Sequence, residues 1–455
     1  MSKENQNPRL GENKMGVMPV GKLLLNMALP MIISMLVQAL YNVVDSVFVS
    51  MIPENSENAV TALGLAFPIQ NIQIGFATGI GVGVNALLSK SLGEGEQETA
   101  NRSAGNGILL VSLVTVAFLL FGIFGAEPYY AIQSDNSVTV QYGTSYTAIC
   151  CLFGAGVFVE ILFERLLQAS GRTVYTMITQ GVGAVINIIL DPIFILALDM
   201  GMAGAAIATA SSQFVGGFVP LIYFIRPNSS ILRLGKTRFD GKAILKACTN
   251  GSSEFMSNVS MSLVGMLYNI QLLQFAGDDG VAAYGVMMYV SMIFSAVFVG
   301  YSVGTAPVIG YHNGAGNHAE LRGILKKSMV ILAISGLAML AAAEWLAAPL
   351  SRIFVGYSRS LMDMTVHGFT IFAVSFPFMG YAIFASGFFT ALNDGVTSAI
   401  ISFLRTLVFQ LGAVLLLPMI WKLDGIWWSV VVAEVMAVVF SVIFLIAKRK
   451  RYQYM

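Results

Sequence analysis

Two stretches of this chain place acids where a greasy helix should not tolerate them. In VINIILDPIFI (185–195), Asn187 and Asp191 fall one turn apart on one helix face, and Pro192 follows at once. In LVQALYNVVDSVFVS (36–50), Gln38, Tyr41 and Asp45 repeat at i, i+3 and i+7, one polar stripe on an apolar helix. A carboxylate at the centre of a bilayer helix costs about 2.5–3.5 kcal/mol on insertion scales. Pro192 adds a missing N–H, and Pro30 lets the helix carrying Asp45 bend. Intramembrane carboxylates usually line a cavity, so Asp191 points to a proton or cation site; a structural hydrogen bond capping the carbonyl freed by Pro192 is the alternative. If Asp45 and Asp191 approach one another, desolvation and repulsion favour uptake of a proton.

Other residues carry weaker signals. Thr209 offers a hydroxyl in the next apolar segment, where a threonine most often bonds its own backbone. Glu254 reads either as a second acidic site or as a first-turn glutamate near a helix N-terminus. Met256, Met261, Met266, Met287, Met288 and Met292 cluster with Tyr284, Tyr289, Phe294, Phe298 and Tyr301. Such side chains suit a wall for apolar cations, and also ordinary packing. Glu160, Glu164 and Arg165 are expected to pair with each other or to sit at the cytoplasmic interface, and Asp363 and His367 to sit at the outer interface; Arg405 and Glu434 are deeper and can pair across spans.

These residues need helices to hold them, and composition says which kind. The 455 residues are 56% hydrophobic and 11% charged, against about 25% charged in soluble proteins. The chain is therefore all-α integral membrane. Apolar windows fall near 23–50, 59–90, 103–125, 137–168, 173–198, 202–225, 243–276, 280–310, 325–347, 361–391, 396–420 and 424–447. Twelve transmembrane helices divide as 1–22, an N-terminal segment; 23–225, a first lobe; 226–242, a linker; 243–447, a second lobe; and 448–455, a basic tail. Lys3, Arg9, Lys14, Lys22, the 226–246 cluster, Arg322, Lys326, Lys327 and Lys448–Arg451 share one side, while Glu54, Glu57, Glu127, Asp135, Asp278 and Asp279 take the other. Both termini are thus expected in the cytoplasm of a cell inner (plasma) membrane protein.

The halves repeat. An offset of 221 carries Gly64, Gly79, Gly83, Gly93 and Gly95 onto Gly285, Gly300, Gly304, Gly314 and Gly316. Six spans per half make the two bundles parallel copies, related by a pseudo-twofold along the membrane normal. The ladder Gly75, Gly79, Gly83 reads as close helix packing. SLGEGEQETANR lacks a P-loop Lys-Ser/Thr, and no nucleotide, nucleic acid or metal centre is expected. Cys150, Cys151 and Cys248 read as small buried apolar groups, and the three histidines are scattered.

Several runs together resemble the multidrug and toxic compound extrusion (MATE) family: ALPMIISMLVQALYNVVDSVFVS, SLGEGE, FERLLQASGRT, NIILDPIFI and GMAGAAIAT. The resemblance implies a secondary antiporter, not an enzyme and without a cofactor. It would export cationic amphipathic drugs or toxins, small organic cations, in exchange for H+ or Na+. It places Asp45, Asn187, Asp191 and Thr209 in the cation site, the position any Na+ would take, with Gln38 and Tyr41 lining the cavity and Pro30 bending the first helix. Glu254 is closer to its helix start than the family pattern expects. A monomer in contact with membrane lipid is expected. A lipid-linked oligosaccharide flippase of the wider superfamily is the alternative; it should carry a cationic cavity.

Overall fold

The computed structural model describes residues 14–50, 56–226, Leu232, Leu234 and 237–455. The expectations placed on Lys3, Arg9, Glu54 and most of 227–236 lie outside the described residues. Among those described, all regular structure is helical. Nine helices are long and apolar enough to cross a bilayer. Gly277, at φ +61°, divides the 74-residue helix Gly241–Gly314 into two spans. Two helix pairs bent by 43° and 48° each form one more, which completes twelve.

The first half runs α1 (Val20–Ser50), α2 (Ser56–Gly93), α3 (Gln97–Phe124), bent α4 (Ser137–Leu152 with Ala155–Ala169), α5 (Thr173–Asp191) and α6 (Gly201–Ile225). The second runs α7 (241–276), α8 (278–314), α9 (His318–Val355), bent α10 (Arg359–Ala373 with Phe376–Ala391), α11 (Gly395–Phe403, continued to Leu416) and α12 (Pro418–Tyr452). The bent spans α4 and α10 occupy equivalent places in the two halves. So do the positive-φ turns at Gly95 (+77°) and Gly316 (+66°), where a residue without Cβ fits best.

The repeated glycines explain how the halves meet. A Cβ on Gly251 of α7 would lie 1.8 Å from the Gly79 carbonyl of α2, and one on Gly83 would lie 1.9 Å from the Ala247 carbonyl. Their counterparts Gly300 and Gly304 of α8 lie against the backbone of Ile32 and Ala28 in α1. In hydrocarbon the apolar driving force between helices is gone, so backbone approach at small residues holds the seam. These contacts all lie toward the face that carries the Lys/Arg clusters, hereafter the basic face. At the opposite end Gly64, Gly265 and Gly285 have no such atom within 4 Å of a built Cβ. The halves meet backbone to backbone toward the basic face, and Asn71 Nδ2 donates to Ser262 Oγ at 2.8 Å across the seam farther along α2 and α7.

The segment 448–455 is not a free tail. α12 continues to Tyr452, Gln453 turns the chain at φ +53°, and Tyr454 is fully buried against Phe388 and Phe389. Beside it Asp394 accepts from the Thr397 N–H and the Tyr452 hydroxyl and pairs with Lys448 at 3.3 Å. Burial opposes its charge, yet these partners outweigh burial and hold the carboxyl below its ordinary value of 3.8. A depressed carboxylate contributes stability above its unfolded pKa and loses it as pH falls through the folded one. Asp394→Asn should therefore melt below wild type at pH 7, and the two melting curves should converge below about pH 4.

Candidate functional site

α1 and α5 pack side by side in the first half, and their polar stripes face one another. The carboxyl groups of Asp45 and Asp191 stand within hydrogen-bond reach. Asn187 Nδ2 donates to Asp191 Oδ1 at 3.4 Å. Asp191 and Asn187 are 0% and 1% exposed, and Asp45 is half-buried. Pro192 does not simply break α5. It opens a π-helical turn over Pro192–Ala197, closed by Leu198 N–H donating to the Ile193 carbonyl at 2.8 Å. Such widened turns cost helix regularity and recur at functional sites.

Three oxygens of this cluster have no hydrogen-bond partner: Asp45 Oδ1, Asn187 Oδ1 and Asp191 Oδ2. An unsatisfied buried polar group costs about 1–3 kcal/mol. A set of bare oxygens from two helices can take up a proton or a small hard cation. Gln38 and Tyr41 lie beside each other one turn along α1, and Tyr146, which accepts from Gln70 at 2.8 Å, lies near Asp45 as well. Thr209 is half-buried on α6, and no hydrogen bond joins it to Asp45, Asn187 or Asp191.

α4 adds acids for which the sequence allows either mutual pairing or an interfacial place. Glu164 and Arg165 are buried, Glu160 is half-buried, and Glu160 neighbours Tyr41. Its carboxyl fills a notch over Gly216, where a Cβ would come within 2.3 Å of Oε1. Glu164 reaches Gln180 and keeps Oε1 unpartnered, while Arg165 donates to Gln168 at 2.9 Å. The i, i+4 spacing of Glu160 and Glu164 was the available signal.

Other expectations need correction. Met287 lines no cavity: it is fully buried in the second half, where a Cβ on Gly368 would sit against both Met287 and Trp427. Met256 is half-buried, while Met261 and Met266 are 60% and 59% exposed on the helix exterior. Glu254 is no first-turn residue; it lies in the fourth turn of α7, in the field of Arg165 and Arg405. His367 pairs with Asp424 at 2.9 Å, both side chains exposed, as an interfacial position allows. Cys248 is exposed.

Arg405 grips Glu434 through two nitrogens at 2.8–3.1 Å, with 17% and 0% side-chain exposure. Removing one partner of a buried pair leaves an uncompensated charge and costs about 3–5 kcal/mol. Arg405→Met should lower the melting temperature sharply, and Arg405→Met with Glu434→Leu should recover most of the loss.

The MatE family profile matches residues 30–193 and 255–414, covering corresponding stretches of both halves. "Multidrug export protein MepA" of Staphylococcus aureus (strain NCTC 8325 / PS 47) is 23% identical over 425 residues, 91% of each chain. Among solved structures, "Crystal structure of MATE in complex with MaL6" superposes with a TM-score of 0.92 at 22% identity, over 97% of this chain and 99% of that one. "Outward-facing conformation of a multidrug resistance MATE family transporter of the MOP superfamily" gives 0.90 at 22%, over 96% and 97%. With its paired bundles, its seam of repeated glycines and a family profile spanning both halves, the chain belongs to the MatE family of multi-pass membrane transporters and is not an enzyme.

Proposed function

We propose that this transporter exports small organic cations against an inward flow of H+ or Na+, and that Asp45 and Asp191 hold the coupling ion with Asn187. The observation that carries this reading is the pairing of two carboxyls from separate spans beside three unpartnered oxygens. The Lys/Arg distribution supports a cytoplasmic basic face, and on that reading the glycine seam lies on the cytoplasmic side. Thr209, Gln38, Tyr41 and Met256 stand as candidate lining residues, and Pro30 as the hinge of α1. Glu254 is kept as a charged neighbour of the cleft.

Coupling follows from free energy. An ion and a drug that bias opposite conformations exchange through a population shift, and neither moves the equilibrium without differential affinity. Ethidium and the ion are both monovalent, so a one-for-one exchange moves no net charge and the ion's concentration gradient is the drive; a tenfold gradient contributes about 1.4 kcal/mol, roughly a tenfold concentration of substrate. The acid-rich first half suits cations. A lipid-linked pyrophosphate would need the opposite charge, and the flippase alternative is set aside.

The test is ethidium transport by the purified protein in liposomes under an imposed pH or Na+ gradient alone. Accumulation following one gradient identifies the ion. Accumulation under neither, with counterflow intact, contradicts the exchange reading.

A further inference from the structure

We propose a second binding site, for the phosphate-bearing headgroup of an anionic phospholipid, at the basic face of the second half. A cavity of about 400 Å³ opens there between the start of α7, the α10–α11 turn and the end of α12. That volume lies in the range of small-molecule sites, about 300–1,000 Å³. Lys246, Lys448 and Arg451 line it. Asp394 is its single lining carboxylate, and it is engaged by Lys448 and the Tyr452 hydroxyl. Among the described residues neither Lys246 nor Arg451 has an ion-pair partner; Arg451 only rests 5.2 Å over the Tyr452 ring. Two uncompensated cations therefore face one half-open pocket.

The remaining wall decides what kind of anion fits. Val396 and Ile400 of α11 are 60% and 40% exposed, and Phe444 of α12 lies beside them. The cavity thus joins a cationic floor to an apolar rim on the outer surface of the bundle. A free phosphate uses only the floor, whereas a phospholipid places its phosphate on Lys246 and Arg451 and its chains along the rim. Basic pockets between spans on the cytoplasmic side recognise anionic lipid in this manner. The cavity lies away from the Asp45–Asp191 cluster, in the other half, and does not depend on the transport reading.

The test is native mass spectrometry of the full chain delipidated in detergent and exposed to equal phosphatidylglycerol and phosphatidylcholine. Wild type should retain phosphatidylglycerol preferentially, and Lys246→Gln with Arg451→Gln should cut that retention at least fivefold. Each single variant should lose part of it, which keeps the test valid if the double variant folds poorly. Lys450→Gln, a nearby exposed lysine outside the cavity, should retain the wild-type amount. Equal retention by wild type and the single and double variants overturns the site. Inorganic phosphate competing at millimolar concentration, in a manner that requires Lys246 and Arg451, overturns the lipid assignment in favour of a soluble anion.

Discussion

Asp191→Asn should leave a folded protein that still exchanges ethidium down its gradient but loses gradient-driven accumulation at least tenfold. The amide preserves shape and keeps a donor toward the neighbouring oxygens. It cannot carry a proton on and off, and it offers a cation one neutral oxygen in place of a charged carboxylate. The cost of leaving Asp45 half-buried beside it is modest, because removing one acid of a close pair relieves repulsion. What disappears is the differential affinity that links ion to substrate, and with it the roughly tenfold accumulation that a tenfold ion gradient supplies. Counterflow without a gradient is the internal control. Accumulation within twofold of wild type, at equal expression, contradicts a role for Asp191 in coupling.

The second large effect is mechanical. Gly251→Ala should force α2 and α7 apart at the basic face, because the added methyl would meet the Gly79 carbonyl at 1.8 Å. The obstacle is backbone, which no rotamer change relieves, and packed interfaces switch between discrete arrangements instead of stretching. The closed state therefore loses population to one open at that face, and steady transport falls at least tenfold. Gly265→Ala, on the same α7 with nothing within 4 Å of its built Cβ, should behave as wild type. Spin-label distances across the basic face read the outcome. An unchanged distance distribution in Gly251→Ala would show that the glycine seam is not the gate.

Much of this architecture was legible in the residues. Hydropathy gave the spans, and the 221-residue offset gave the two halves, because a repeated glycine marks a place where backbone meets backbone. Gly79, Gly83, Gly300 and Gly304 do this in structure as their spacing implied. The convergence of Asp45 and Asp191 was stated as a hypothesis, since periodicity places each acid on a face but not on a common one. The errors have physical causes too. Met287 and Met261 share a composition signal, yet one is core and the other faces out, because methionine packs equally well in either setting. Glu160 and Glu164 stand one turn apart on α4, but spacing alone leaves open whether they pair or sit at an interface, because that depends on which helices pack against them. The end of the chain looked like a solvated charge run, but Tyr454 finds an aromatic pocket in Phe388 and Phe389, about 65 residues earlier in the sequence.

The account stands on one ion held by Asp45 and Asp191 and given up to substrate. Adding ethidium to the purified protein in weakly buffered detergent solution, while following pH and free Na+, measures that exchange directly. Release of one H+ or one Na+ per ethidium bound, absent in both Asp45→Asn and Asp191→Asn, is the predicted result. Stoichiometric ethidium binding with no ion released, or release that survives in both variants, would contradict it.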